Sequence, residues 1–217
     1  MAMLSLSLID PLQTDMEWAR EQLDAAERAR ADAFVFPADS DRWTRVRAEC
    51  KRLLAAHVGV APDRLRWKLG PHDKPNISGH DLAFNLSHGQ SLSALVISSM
   101  GPVGVDIEPI SRGSELIEAY ESFCHPDEMR MLPGGEERAR ALIELWTAKE
   151  AFLKAIGTGL SLPPEKVTVA GDRAHGPHPE LAGLHLIRPT HPDLDQHALA
   201  ISAPHPVTEV EVIIHRP

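Results

Sequence analysis

Two long stretches free of glycine and proline, each closed by a glycine, constrain this chain most. Residues 41–58 carry Trp43, Val46, Cys50, Leu53, Leu54 and His57 at helical spacing and stop at Gly59. Residues 136–156 carry Leu142, Leu145, Trp146, Leu153 and Ile156 on one face and stop at Gly157. An apolar stripe of that period predicts an amphipathic helix, and glycine is the residue that most easily takes the left-handed turn ending one. Residues 15–33, rich in Ala, Glu and Arg, predict a further helix ahead of the first. After each long helix come short apolar runs between Gly, Pro and Asn breakers, at 64–68, 82–86 and 92–98, then at 166–170, 184–187, 197–202 and 207–214. These read as strands.

The order of elements therefore repeats. Residues 1–9 alternate Leu with Ser, lack a basic start and meet Asp10-Pro11 early, which predicts a first strand rather than an export signal. A second strand at 103–108 reopens the cycle. The expected fold is α+β, with two similar halves, 1–101 and 102–217, each a small mainly antiparallel sheet on a long helix.

Composition narrows the function. A chain of 217 residues with 43% hydrophobic and 24% charged residues is long enough to bury about 70% of its unfolded surface without disulfides. Its formal net charge of -9 and its few aromatics (5 Phe, 4 Trp, 1 Tyr) speak against nucleic acid as a partner. Apolar runs such as 94–97 fall far short of the ~20 residues that span a bilayer. Cys50 and Cys124 form neither a CxxC pair nor a disulfide framework, so free thiols in a reducing cytoplasm are expected. His175, His178, His185, His191, His197, His205 and His215 crowd the C-terminal stretch, but their irregular spacing without cysteine suits solvated loops better than zinc.

Chemistry concentrates in three places. In Val103-Gly104-Val105-Asp106-Ile107-Glu108, strand periodicity sends Val103, Val105 and Ile107 to one face and both carboxylates to the other, about 7 Å apart. Two neighbouring anions need a cation between them or water around them. Mg²⁺ suits such hard oxygens, and an edge strand with one solvated face fits this segment equally well. On the second long helix, Trp146, Glu150 and Lys154 follow one another at i, i+4 and share a face. Glu150 offers a third carboxylate for Mg²⁺, and Lys154 and Lys149 offer ammonium groups to phosphate oxygens. In Phe84-Asn85-Leu86-Ser87-His88-Gly89, a strand ends by presenting Ser87 and His88 at a glycine turn, which suits a phosphate. Adjacent strand residues point oppositely and no GxSxG elbow is present, so Ser87 is not read as a nucleophile.

Together these motifs resemble the two-domain, Sfp-type branch of the 4′-phosphopantetheinyl transferases. That family's G-x-D-x-E strand is matched by Gly104, Asp106 and Glu108, and its W-x-x-K-E-A helix with a following Lys by Trp146, Lys149, Glu150, Ala151 and Lys154. Its N-x-S-H element is matched by Asn85, Ser87 and His88, and its G-K-P element by Lys74-Pro75, with Asp73 where the Gly usually stands. The resemblance covers about residues 70–160. It implies Mg²⁺-dependent transfer of phosphopantetheine from coenzyme A to a serine of an apo acyl, polyketide or peptidyl carrier protein, releasing 3′,5′-ADP. Asp106, Glu108 and Glu150 would hold Mg²⁺, Lys154 would bind phosphate, and Glu150 or a metal-bound water would help deprotonate the serine. Ser87 and His88 would contact the 3′-phosphate side, with Lys74 and Pro75 beside the adenine. The duplicated interface within one chain implies a monomer.

The basic anchors of the first half carry no fixed signature. Residues 41–74 hold nine Lys/Arg against four acids, and Arg42 and Arg47 are the candidates for the 3′-phosphate. A solvated basic helix face would look the same. Three carboxylates and a lysine also suit a Mg²⁺-dependent phosphohydrolase or nuclease, and a module that holds coenzyme A or a carrier protein without turnover is the third class.

Overall fold

The computed structural model describes residues 4–70, 74–178, 183–207 and 210–215. Asp73 and residues 1–3 lie outside them. In the first half, β1 (Leu4–Ile9) leads to α1 (Met16–Gln22), α2 (Ala25–Asp32) and the long α3 (Pro37–Val58). Then come β2 (Trp67–Leu69), β3 (Pro75–Ile77), β4 (Ala83–His88) and β5 (Ser93–Ser98). The second half runs through β6 (Gly104–Pro109), α4 (Pro126–Met131) and the long α5 (Glu137–Ile156). It ends in β7 (Thr168–Ala170), β8 (Arg173–His175), β9 (Leu184–Ile187), β10 (His197–Ala203) and β11 (Glu211–His215).

The fold is α+β, and the two main sheets repeat one pattern: β1-β5-β4 in the first, β6-β10-β9 in the second. Strand alternation sorts the apolar residues into layers. Leu4, Leu6 and Leu8 of β1 and Ala94 and Val96 of β5 meet Val105 and Ile107 of β6 and Leu199 and Ile201 of β10 in one core between the sheets. The opposite face of the first sheet, with Ile9, Phe84, Leu95 and Ile97, packs on Val46, Cys50 and Leu54 of α3. The opposite face of the second packs on Ala148, Ala151 and Phe152 of α5. The order of layers is α3, sheet, sheet, α5, with the fully buried β-branched residues of β6 contributing about 1.5–3 kcal/mol each.

Some elements differ from the sequence expectation. The helix expected over 15–33 is two helices, because Asp24 starts a second one: its carboxylate accepts the Glu27 N–H at 2.9 Å while Glu27 accepts the Asp24 N–H at 3.0 Å. The first long helix begins at Pro37, whose fixed φ suits a first helical position. The strands β3 and β8 and the helix α4 are too short to leave a periodic signal. The strand expected at 207–214 does not extend the second sheet; β11 pairs in parallel with β1 and so crosses to the first. His185, His191 and His197 are not loose: they bond Arg173, the Asp193 N–H and Ser91. Cys50 and Cys124 are free and buried. No helix among the described residues is long and apolar enough to cross a membrane.

One backbone contact positions the site. A Cβ on Gly104 would overlap the Ala151 carbonyl oxygen and the Ala155 nitrogen, so only glycine lets α5 lie this close to β6.

Candidate active site

Asp106 and Glu108 leave β6 on the face turned to α5. Their cross-strand partners on β10 are Ala200 and Ala198, small enough to leave room above the strand. Asp106 is 4% exposed. Its Oδ1 receives the Lys154 ammonium at 2.6 Å and the Ser87 hydroxyl at 2.8 Å, and Lys154 also reaches the Ser87 Oγ at 3.1 Å. One knot thus joins α5, β6 and β4. The other carboxylate oxygen, Oδ2, is buried without a hydrogen-bond partner.

Glu150 is half-buried on the same side of α5 as Lys154. Desolvation raises its carboxyl above the ordinary range; Lys154 opposes this, and the charges of Asp106 and Glu108 add to it. Glu108 is likewise raised, chiefly by desolvation, and is ion-paired to Arg112. Among the described residues no three His, Cys, Asp or Glu side chains converge as a finished ligand set. Asp106 is turned to Lys154 and Glu108 to Arg112. The donor chemistry nevertheless fits a hard divalent cation: three carboxylates within electrostatic reach of each other, one with a buried, unpartnered oxygen.

Beside this knot lies a cavity of about 410 Å³ lined by Arg42, His88, Gln90, Glu108, Ser111 and Arg112 among others. Arg42 spans from Asp39, 2.6 Å away, to the Gln90 carbonyl at 3.3 Å, tying α3 to the turn after β4. The His88 imidazole is pushed down to about 4, first by desolvation and then by the charges of Lys154, Arg30, Arg42 and Arg47. That list of cations describes an anion-attracting corner. Arg30 and Arg112 were not singled out from the sequence. Arg112 stands four residues after Glu108, a spacing that could have revealed it; Arg30, stacked on Trp43, lies outside the basic stretch and left no signal.

Several sequence-derived candidates occupy other positions. Lys149 is the clear correction: it is completely buried and faces away from the cavity. Its ammonium lies 2.7 Å from Glu128 and donates to the carbonyls of Phe123, Pro164 and Val167 at 2.7, 3.0 and 2.7 Å. It is one residue out of step with the i, i+4 face of Glu150 and Lys154, and its ammonium is spent on Glu128 and three carbonyls. Arg47 is committed to Glu27 at 2.7 Å and stacks 3.8 Å from the Trp67 ring, so it adds charge rather than a free contact. Lys74 donates to the carbonyls of Val103, Lys154 and Ala155 at 3.1, 2.6 and 3.1 Å, closing the C-terminal end of α5 from the first half; burial holds it down to about 8. It also lines a separate cavity of about 870 Å³ with Phe84 and Gly157. Pro75 starts β3 opposite Leu69. Ser87 is 4% exposed and spends its hydroxyl on Asp106.

Comparison with known proteins agrees with this geometry. The profile of the 4′-phosphopantetheinyl transferase superfamily matches residues 102–202, the span from the start of β6 through β10. The 4′-phosphopantetheinyl transferase HetI of Nostoc sp. is 30% identical over 160 residues, covering 70% of this chain and 67% of that protein. A Synechocystis sp. protein described provisionally as having the same activity is 32% identical over 64% of this chain and 58% of its own length. The 4′-phosphopantetheinyl transferase of Bacillus subtilis is 27% identical over 68% and 66%. The chain thus spans about three-fifths to two-thirds of the length of these relatives, and it belongs to the 4′-phosphopantetheinyl transferase superfamily.

Proposed function

We propose that this chain transfers the 4′-phosphopantetheine arm of coenzyme A to a serine of an apo carrier protein, with Mg²⁺ as cofactor. The observation that carries the reading is Asp106, a buried carboxylate with one oxygen tied to Lys154 and Ser87 and the other unpartnered, two residues before Glu108, which lines a cavity together with Arg42, His88 and Arg112. Asp106, Glu108 and Glu150 would hold the ion. When bound, it neutralises charge on the pyrophosphate oxygens. Lys154 is assigned to the same oxygens, and Arg42, Arg30 and His88 to the 3′-phosphate end.

In the reaction the serine oxygen forms a bond to the β-phosphorus, and the bond from that phosphorus to the bridging oxygen breaks. The serine proton passes to the Glu150 carboxylate, and 3′,5′-ADP leaves with the electron pair. Glu150 is assigned this role because it stands half-buried on the Lys154 face of α5, within electrostatic reach of Asp106 and Glu108. In-line phosphoryl-group transfer needs position and charge more than covalent help, which agrees with the absence of a nucleophile among these roles. Lys149 and Arg47 have no part in this scheme, and Ser87 acts on Asp106. We read the chain as two halves meeting at 101/102, acting as a monomer.

The test is to incubate the protein with coenzyme A, Mg²⁺ and apo acyl, polyketide and peptidyl carriers and weigh each carrier by intact mass spectrometry. A gain of one phosphopantetheine arm that EDTA abolishes is expected. Coenzyme A binding without any gain would favour a binding module, and coenzyme A cleavage without a carrier would favour a phosphohydrolase.

A further inference from the structure

Among the described residues, no strand pairs with the outer edge of β6. β10 pairs with it on one side, and the sheet ends there. On the other side lies β4, which belongs to the first sheet. An edge strand turns alternate N–H groups outward, and a half-buried N–H left without a partner costs free energy. A side chain meets this need: the Val105 N–H donates to Asn85 Oδ1 at 2.9 Å. Asn85 and Ser87 lie two apart on β4 and so share a face, while Val105 directly precedes Asp106. The same strand of the first half therefore holds this stretch of β6 twice, at the Val105 backbone by Asn85 and at the Asp106 carboxylate by Ser87.

We infer that Asn85 is a positioning residue for the transfer, fixing the edge of β6 against β4 so that Asp106 stays within reach of Ser87 and Lys154. This role rests on the transferase reading. Asn85 needs no contact with substrate to act: it supplies one acceptor oxygen at the point where the two sheets meet without a ladder. Phe84 and Leu86 face the α3 core, and Ser87, on the same face as Asn85, spends its hydroxyl on Asp106. A displacement of about 1 Å at a reacting group can cost about a hundredfold in rate, so a loosened β6 edge would register in turnover.

The experiment uses the full chain, labelled with ¹⁵N-valine, as Asn85→Ala and Asn85→Asp. Aspartate keeps an acceptor oxygen where alanine removes it. In Asn85→Ala the Val105 amide should exchange with solvent at least about tenfold faster, and kcat for transfer should fall at least about tenfold with KM for coenzyme A nearly unchanged. Asn85→Asp should restore protection of Val105 and most of kcat. Normal Val105 protection in Asn85→Ala would overturn the clamp, and lost protection with undiminished kcat would overturn its role in transfer. If Asn85→Ala does not fold, a folded Asn85→Asp that exchanges fast or turns over slowly overturns the inference by itself. Wild-type protein without transfer would remove the transferase reading and this role together, whereas active wild type beside a fully active Asn85→Ala removes this role alone.

Discussion

Replacing Lys149 by Met separates the two roles this lysine has been given. Met keeps most of the volume and removes the charge. The variant loses the ion pair to Glu128 and three hydrogen bonds to carbonyls, all in a site with no solvent exposure. Removing one partner of a buried pair costs about 3–5 kcal/mol. Glu128 still accepts the His125 N–H at 2.7 Å and the Val169 N–H at 2.8 Å, so its charge is not left bare and the loss falls near the lower end, about 3 kcal/mol. At about 2–4 °C per kcal/mol for a chain of this size, the Tm should drop by roughly 6–12 °C. Glu128→Gln should cost more, since it strands an ammonium in a cage of carbonyls, and the double variant should cost less than the two singles added together. The assays are thermal unfolding and steady-state transfer on the same preparations. KM for coenzyme A should not move, because Lys149 faces away from the cavity. A Tm within about 2 °C of wild type together with a KM raised about tenfold would refute the reasoning and return Lys149 to the phosphate.

Three further outcomes follow. Glu150→Gln should lower transfer by a factor of about 10² or more while coenzyme A still binds, because the amide cannot take the serine proton; near-wild-type transfer would remove Glu150 from that step. Gly104→Ala should destabilise the chain by about 1–3 kcal/mol in urea denaturation and cost activity, since α5 must shift off β6; an unchanged midpoint would mean that the contact gives way easily. His88, followed by NMR, should titrate near 4 rather than 6.5, so the folded chain resists a proton that the unfolded chain accepts. Stability should therefore be full above pH 6.5 and fall as pH drops toward 4, by a small amount because His88 stands at the exposed end of β4, and an anion between His88, Arg42 and Arg112 should move the titration upward; titration near 6.5 in the free protein would show that neither burial nor the neighbouring cations act on the ring.

What could be read from the sequence was what depends on period. The alternation of β6 separated Val105 and Ile107 from Asp106 and Glu108, and the i, i+4 spacing of α5 joined Glu150 to Lys154; both follow from backbone geometry alone. Where the next layer lies does not. Lys149 and Lys154 are both lysines on one helix near three acids, but five positions of helical twist put them on different sides, and only the packing of Phe123, Pro164 and Val167 shows which is caged. Lys74 is similar: its carbonyl partners are 29 to 81 residues away in sequence. Local charge density made residues 41–74 a candidate for receiving an anion, but Arg47 is tied to Glu27 from another helix, and Arg30 enters from outside that stretch.

These long-range bonds share a direction. Lys74 closes α5, Ser87 holds the Asp106 carboxylate, Asn85 holds the strand under it, and Ser91 bonds His197 at the start of β10, all from the first half onto the second. The second half carries the carboxylates and Lys154, and its edge strand, its helix end and one carboxylate oxygen each take a bond from a group that the first half supplies. A segment such as 102–202 therefore contains every acid proposed for the chemistry while lacking the first-half partners that fix where Asp106 stands. The common core of Leu6, Leu8, Val105 and Ile201 holds the halves together, which leaves the polar contacts at the seam free to specialise for the site.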